Sequence, residues 1–389
     1  MINSTKNFII SFTVLLLMCC PDNICGQEEK TSVLELEANL TYDILNIHQG
    51  SQAKHNGKNL FLGMEQLMVS INPFKKIDSG FKMFFNVINT HGARPSEDYI
   101  GDLQVISNIE AGYYSGLFEA YLEHHYARHS VMIGLHDLNA TFLYTDAALN
   151  FVNSSFGIMP SVSCNVSCSI YPLSALGINY LYTHDTWALK LAFYDGNPGS
   201  MQHNNMNLNP SLSKQDGIFS IAEFQYNIKG NNDTQIKGGA YWHSADFTTG
   251  VDDFSYKNNY GAYALIAHNI KFHKEWPNKF QFFIKGGLNT PQRNFISSFI
   301  GGGLVINDLL HLFQQDQIGL AIARANISNT IMSNEIEFYN NETAYELFYS
   351  MEFLNHFKLQ PSIQYITHPG GLMTNNDAFV SLLRFQVSL

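Results

Sequence analysis

The chain has 389 residues, of which 45% are hydrophobic, 13% aromatic and only 14% charged, with 22 Lys and Arg against 33 Asp and Glu and a net charge of -11. The hydrophobic content excludes a disordered chain, and the acidic balance argues against a nucleic-acid partner. Few charges, many aromatics and no long apolar run in the body point to a secreted β protein or a membrane β-barrel.

Residues 1–26 read as a secretory signal. Lys6 supplies the positive start, and Phe8 to Cys20 form an apolar run of 13 residues. A helix needs about 20 to cross a bilayer, so the run is an address rather than a span. Cleavage is expected near Gly26. Lipidation at Cys19 or Cys20 is the alternative, and Leu17 and Met18 suit it badly. Residues 27–389 then form one domain. They keep two cysteines, Cys164 and Cys168, in the polar stretch SVSCNVSCSI. In an oxidising compartment a disulfide within that loop is the simplest expectation. Zinc is the competing reading, and it lacks two further ligands nearby.

The body alternates with period two. In Phe280 to Asn289, Phe280, Phe282, Ile284 and Leu288 lie opposite Gln281, Lys285 and Asn289. Sixteen such segments follow, near 32–44, 58–70, 79–90, 113–124, 128–136, 173–183, 186–194, 216–228, 235–245, 259–270, 279–289, 297–307, 316–323, 343–353, 356–367 and 377–388. Most have the roughly ten residues that a tilted strand needs to cross a bilayer. Connections after odd strands tend to be long (91–112, 137–172, 195–215, 324–342), and several after even strands are very short. The fold class is therefore all-β: a transmembrane antiparallel barrel of about sixteen strands, with long external loops and short periplasmic turns. Such a barrel encloses a water-filled channel, with apolar side chains outward and polar ones inward.

Seven local segments, in order from Tyr99 to Gly371, resemble the carbohydrate-selective porin family, the OprB-type sugar porins of bacterial outer membranes. They are Tyr99-Ile-Gly-Asp-Leu-Gln-Val-Ile-Ser-Asn-Ile-Glu-Ala111, Asn150-Phe-Val-Asn-Ser-Ser-Phe-Gly157, Tyr171-Pro-Leu-Ser-Ala-Leu-Gly177 and Phe193-Tyr-Asp-Gly-Asn-Pro-Gly199. Tyr241-Trp-His-Ser-Ala-Asp-Phe247, Arg293-Asn-Phe-Ile296 with Gly301-Gly-Gly-Leu304, and Leu359-Gln-Pro-Ser-Ile-Gln-Tyr-Ile-Thr-His-Pro-Gly-Gly371 complete the set. Two departures stand out. The segment after the signal lacks the family's Gly-Asp-Trp-Gly-Gly-Leu-like stretch, and the chain ends in Leu389 rather than Phe. The resemblance implies a Gram-negative outer-membrane location and passive, sugar-preferring diffusion through a pore narrowed by the third external loop, 137–172. It also implies contact with outer-membrane lipid, a monomer or a trimer, no cofactor and no enzymatic role. A barrel hydrolase or adhesion scaffold is the alternative, and no G-x-S-x-G, H-E-x-x-H or P-loop sequence supports the enzyme.

A sugar pore needs a hexose-sized constriction lined by groups that replace hydration. Strand parity turns Lys82, Lys190, Lys237, Lys285, Lys358 and Arg384 toward the lumen, either as solvated lumen charges or, for a subset, as lining of the constriction opposite third-loop acids such as Asp137 and Asp146. Arg94, Asp102 and Glu110 lie in the second long loop, either at the pore mouth or in a buried ion pair that anchors it. Glu119 and Glu123 point inward if Phe118, Ala120 and Leu122 face lipid. Trp242 is expected on the lipid side and His243 on the lumen side. His124, His125 and His129 cluster at a short turn without metal-ligand spacing, so no metal is expected. With cations inside and acids outside, ion selectivity is expected to be weak.

Overall fold

In the computed structural model, residues 34–389 form one compact unit. The structure describes residues 33–389 apart from 51–54, 77–78, 200–203, 211, 231, 249–254, 272–278, 310–315, 330–336 and 355. The expected signal lies outside the described residues. Sixteen strands are present, as the alternation predicts. They are β1 (Leu34–Gln49), β2 (Lys58–Lys76), β3 (Ser79–Gly92), β4 (Tyr114–Tyr126), β5 (His129–Leu135), β6 (Leu176–Thr183), β7 (Trp187–Asp195) and β8 (Ile218–Ile228). There follow β9 (Asp233–Thr248), β10 (Ser255–Lys271), β11 (Lys279–Asn289), β12 (Ile296–Asn307), β13 (Asp316–Ile327), β14 (Asn341–Phe353), β15 (Phe357–Thr367) and β16 (Ala378–Ser388). Each pairs with its neighbours in sequence, and β16 returns antiparallel to β1, so the barrel is closed. Closure removes the unpaired edges that no hydrocarbon environment tolerates.

The two faces separate as the period-two pattern requires. On β11, Phe282, Ile284 and Leu288 are exposed while Phe283 and Lys285 are buried. On β14, Tyr345 and Leu347 alternate with buried Glu346, Phe348 and Ser350. Trp242 is exposed and His243 buried, as expected. The longest connections, 93–113, 136–175 and 196–217, follow β3, β5 and β7, and therefore leave the barrel at one end. The connections 127–128 and 184–186 follow even strands and lie at the other.

One expectation about β4 is corrected. Asn86 pairs with Glu119 but Val87 pairs with Leu117, so Phe118 is an extra, bulged residue. The bulge lets two successive side chains turn inward. Phe118 packs with Tyr114, Ile88 and Leu173 rather than facing lipid, and its carbonyl accepts the Ser174 hydroxyl. Glu119 also points inward, accepting from Asn86 Nδ2 at 3.1 Å.

Candidate functional site

The connection 136–175 is the longest in the chain and has little regular structure. It contains single helical turns at Ala148–Asn150, Ser154–Gly157 and Pro160–Ser163. Its apolar side chains Leu138, Phe142, Phe151, Phe156 and Met159 share one buried cluster with Phe219, Tyr241, Phe283 and Phe348 of the inner strand face. The Phe151 ring lies 4.9 Å from that of Phe348 and 5.8 Å from that of Phe283. Burial of each such side chain contributes roughly 2 kcal/mol or more.

An irregular buried backbone needs partners for its amides and carbonyls. Charged side chains of the strands supply them. Glu346 accepts from Val152 N at 2.8 Å and Asn153 N at 2.9 Å. Glu223 accepts from Leu143 N at 3.1 Å. Glu342 holds the preceding connection, accepting from Leu103 N at 2.8 Å and Gln104 N at 3.0 Å. Lysines hold the carbonyls. Lys190 Nζ donates to Thr141 O at 2.7 Å, Lys237 Nζ to Tyr144 O at 2.8 Å, and Lys285 Nζ to Phe156 O and Gly157 O at 2.7 Å each. Lys190 also pairs with Glu223 at 3.0 Å. Hydrogen bonds to ions are the stronger ones, and they offset the cost of burying each charge.

Beside this packed region lies a cavity of about 490 Å³. Strands β1, β2, β15 and β16 contribute Asn39, Thr41, Gln66, Lys358, Gln360 and Arg384. The two connections contribute Asn108, Asp137, Asn139, Asn150 and Tyr171. Arg384 makes a two-pronged pair with Asp43, Nε to Oδ1 and Nη2 to Oδ2 at 2.8 Å each, and Ser107 Oγ donates to Asp43 Oδ2 at 2.7 Å.

Of the expected constriction residues, Asp137, Lys358 and Arg384 meet at this cavity. Lys190 and Lys285 do not line it, because the connection's carbonyls cover their ammonium groups. Lys82 sits over the Phe84 ring at 4.9 Å and opposite Glu123 across the sheet. Asp146 is exposed. Glu119 accepts from Asp137 N at 3.2 Å, so it positions the start of the connection. The second loop has no buried ion pair on Arg94, which turns outward to Glu97 at 2.7 Å and Asp98 at 3.1 Å. Glu110 instead accepts from Ser96 N at 3.0 Å and Glu97 N at 3.3 Å. Burial, then the neighbouring Asp102, pushes the Glu110 carboxyl up to about 7, and burial raises Asp102 as well. Asp137 is also pushed up to about 7, by burial and then by Glu119.

This architecture has clear relatives. The sequence profile of the carbohydrate-selective porins, the OprB family, matches residues 64–389. The chain belongs to that family. OprB of Pseudomonas putida is similar in structure, with a TM-score of 0.82 at 17% identity over 92% of this chain and 94% of that one. In vitro-folded OmpT of Vibrio cholerae, described in a trimer form, gives 0.55 at 9% identity over 92% and 99%. A double mutant of the Rh. blastica porin gives 0.53 at 11% identity over 92% and 100%. No curated protein sequence matches the chain.

The porin corrects the expected disulfide. Cys164 and Cys168 are both free. Cys164 follows the last helical turn and points its Sγ at Leu103 O, 3.6 Å away, whereas Cys168 is packed in the apolar cluster. Burial pushes both thiols up to about 12, which suppresses their reactivity. A maleimide reagent is therefore expected to leave both unmodified in the folded porin and to label both after unfolding without reductant. Labelling that requires a reductant would restore the disulfide.

Sequence reading missed Asp43, Glu223, Glu342 and Glu346. A signal was available: Glu342 and Glu346 fall on the inward positions of β14 among apolar neighbours, where an unpaired carboxylate would be costly.

Proposed function

We propose that the protein is an outer-membrane porin of a Gram-negative bacterium. Small carbohydrates diffuse through it passively, along a passage narrowed by the connection 137–172 folded into the barrel. The observation that carries this reading is the lining of the cavity. Its amides (Asn39, Gln66, Asn108, Gln360) can donate to and accept from sugar hydroxyls, and the ions beside them are of both signs. Neutral polyols exchange water for such groups at little net cost, so they enter and leave readily.

Planar-bilayer recording of the refolded protein tests it, with glucose, maltose and an amino acid added in turn. Stable pores whose current falls with a sugar and not with the amino acid are expected. Folded protein without conductance would overturn the reading, as would current blocked only by the amino acid.

Asp137 gives the passage a pH dependence. Its carboxyl is largely neutral well below pH 7 and ionised well above it. Reversal potentials are expected to move toward cation preference between pH 5.5 and 8.5 by the weight of one lining charge, and Asp137→Asn to flatten the change. The sign for stability follows from the same group. An unfolded Asp titrates near 4, so the folded protein binds more protons between about 4 and 7, and stability falls as pH rises through that window.

A further inference from the structure

The connection 136–175 buries most of the large apolar side chains it carries. Leu138, Phe142, Leu143, Phe151, Val152 and Phe156 are at most 1% exposed, whereas Leu149 is 52% exposed. A single exposed leucine ordinarily needs no explanation. This one lines the cavity, and its backbone is fixed on both sides. Leu149 N donates to Thr145 O at 3.2 Å, Asn150 Nδ2 to Asp146 O at 3.1 Å, and Gln360 Nε2 to Asn150 O at 2.8 Å. Val152 N, three residues on, is held by Glu346. Leu149 is thus presented on a braced turn and not on a fraying loop end. It is also not alone. Ile109, Ile158, Ile170, Phe118 and Tyr171 line the same cavity, whereas Lys358, Gln360, Arg384 and Gln386 make the β15–β16 part polar.

We propose that Leu149 is a specificity-determining contact for the apolar face of a ring-shaped sugar. The passage then favours pyranoses, which carry C–H bonds on one face and hydroxyls at the edge, over open-chain polyols of the same size. A ring can set its C–H face on Leu149 while its hydroxyls reach Gln360 and Gln386. A linear polyol has hydroxyls along its whole length and gains nothing from the leucine. A contact the size of one methylene corresponds to a preference of roughly three- to five-fold.

This inference rests on the porin reading. It is tested by titrating the single-channel current with glucose and, separately, with sorbitol. Wild-type pores are expected to hold glucose roughly three- to five-fold more tightly. Leu149→Asn is expected to abolish that ratio, with sorbitol affinity unchanged, and Leu149→Met to retain it. The side chain is half exposed, so neither change empties the core, and heat-modifiable gel mobility verifies that each variant is folded. Wild-type pores equally blocked by both solutes would overturn the role of Leu149 while leaving a sugar porin, as would a ratio unchanged in Leu149→Asn. A wild-type pore that passes no sugar would overturn the porin reading itself.

Discussion

Asp43→Ala is expected to be among the most damaging single substitutions in the barrel. It leaves the Arg384 guanidinium, 5% exposed, without its carboxylate partner. Removing one member of a buried pair typically costs about 3–5 kcal/mol, because the remaining charge is uncompensated. The position matters as much as the magnitude. Asp43 and Arg384 face each other directly in the register of β1 and β16, where the last strand closes on the first. Thermal stability, read as the temperature at which the compact gel band is lost, should fall sharply. The reversal potential should move toward anion preference, since Arg384 lines the cavity proposed above as the passage. The double variant Asp43→Ala with Arg384→Met should recover much of the stability, because neither charge remains. A single variant as stable and as selective as wild type would show that the pair supports neither closure nor the lining.

Glu346→Ala should act on the connection instead. It frees the amides of Val152 and Asn153 and removes the acceptor for Ser362 Oγ at 3.2 Å. Each buried amide left unpaired costs roughly 1–3 kcal/mol. The connection packs largely through its own side chains, so the barrel should still form while this stretch loosens. The expected result is a larger and noisier single-channel conductance with weaker sugar block. Glu346→Gln keeps one good acceptor oxygen and should fall between the two. Unchanged conductance in folded Glu346→Ala protein would mean that this stretch does not limit the passage.

The barrel was legible because lipid and interior impose period two on every strand, and sixteen alternating segments survive in the sequence. Strand ends were less so. β1 was expected to stop at 44, yet it continues to Gln49, and β13 continues past 323 to Ile327. Beyond the apolar belt nothing enforces alternation, so residues such as His48 and Gln49 carry no strand signal. The bulge at Phe118 was hidden for a related reason, since one extra residue reverses the parity of everything before it. The site was read in part. Parity turned Lys190 and Lys285 inward correctly, but it could not say that carbonyls 49 and 128 to 129 residues away would cover them. Lys358 and Arg384 line the cavity together with residues of both connections. The disulfide failed because spacing alone does not give the direction of two thiols around a helical turn.

The strand charges grip the connection almost entirely through its backbone: Glu346 and Glu223 take amides, while Lys190, Lys237 and Lys285 take carbonyls. Anchors of that kind are indifferent to which residue they hold. The surface that the connection offers at the cavity can therefore change by substitution at Leu149 without renegotiating the attachment. One scaffold could in this way acquire new solute preferences by single steps, in evolution or at the bench, with the barrel and its clamps left as they are.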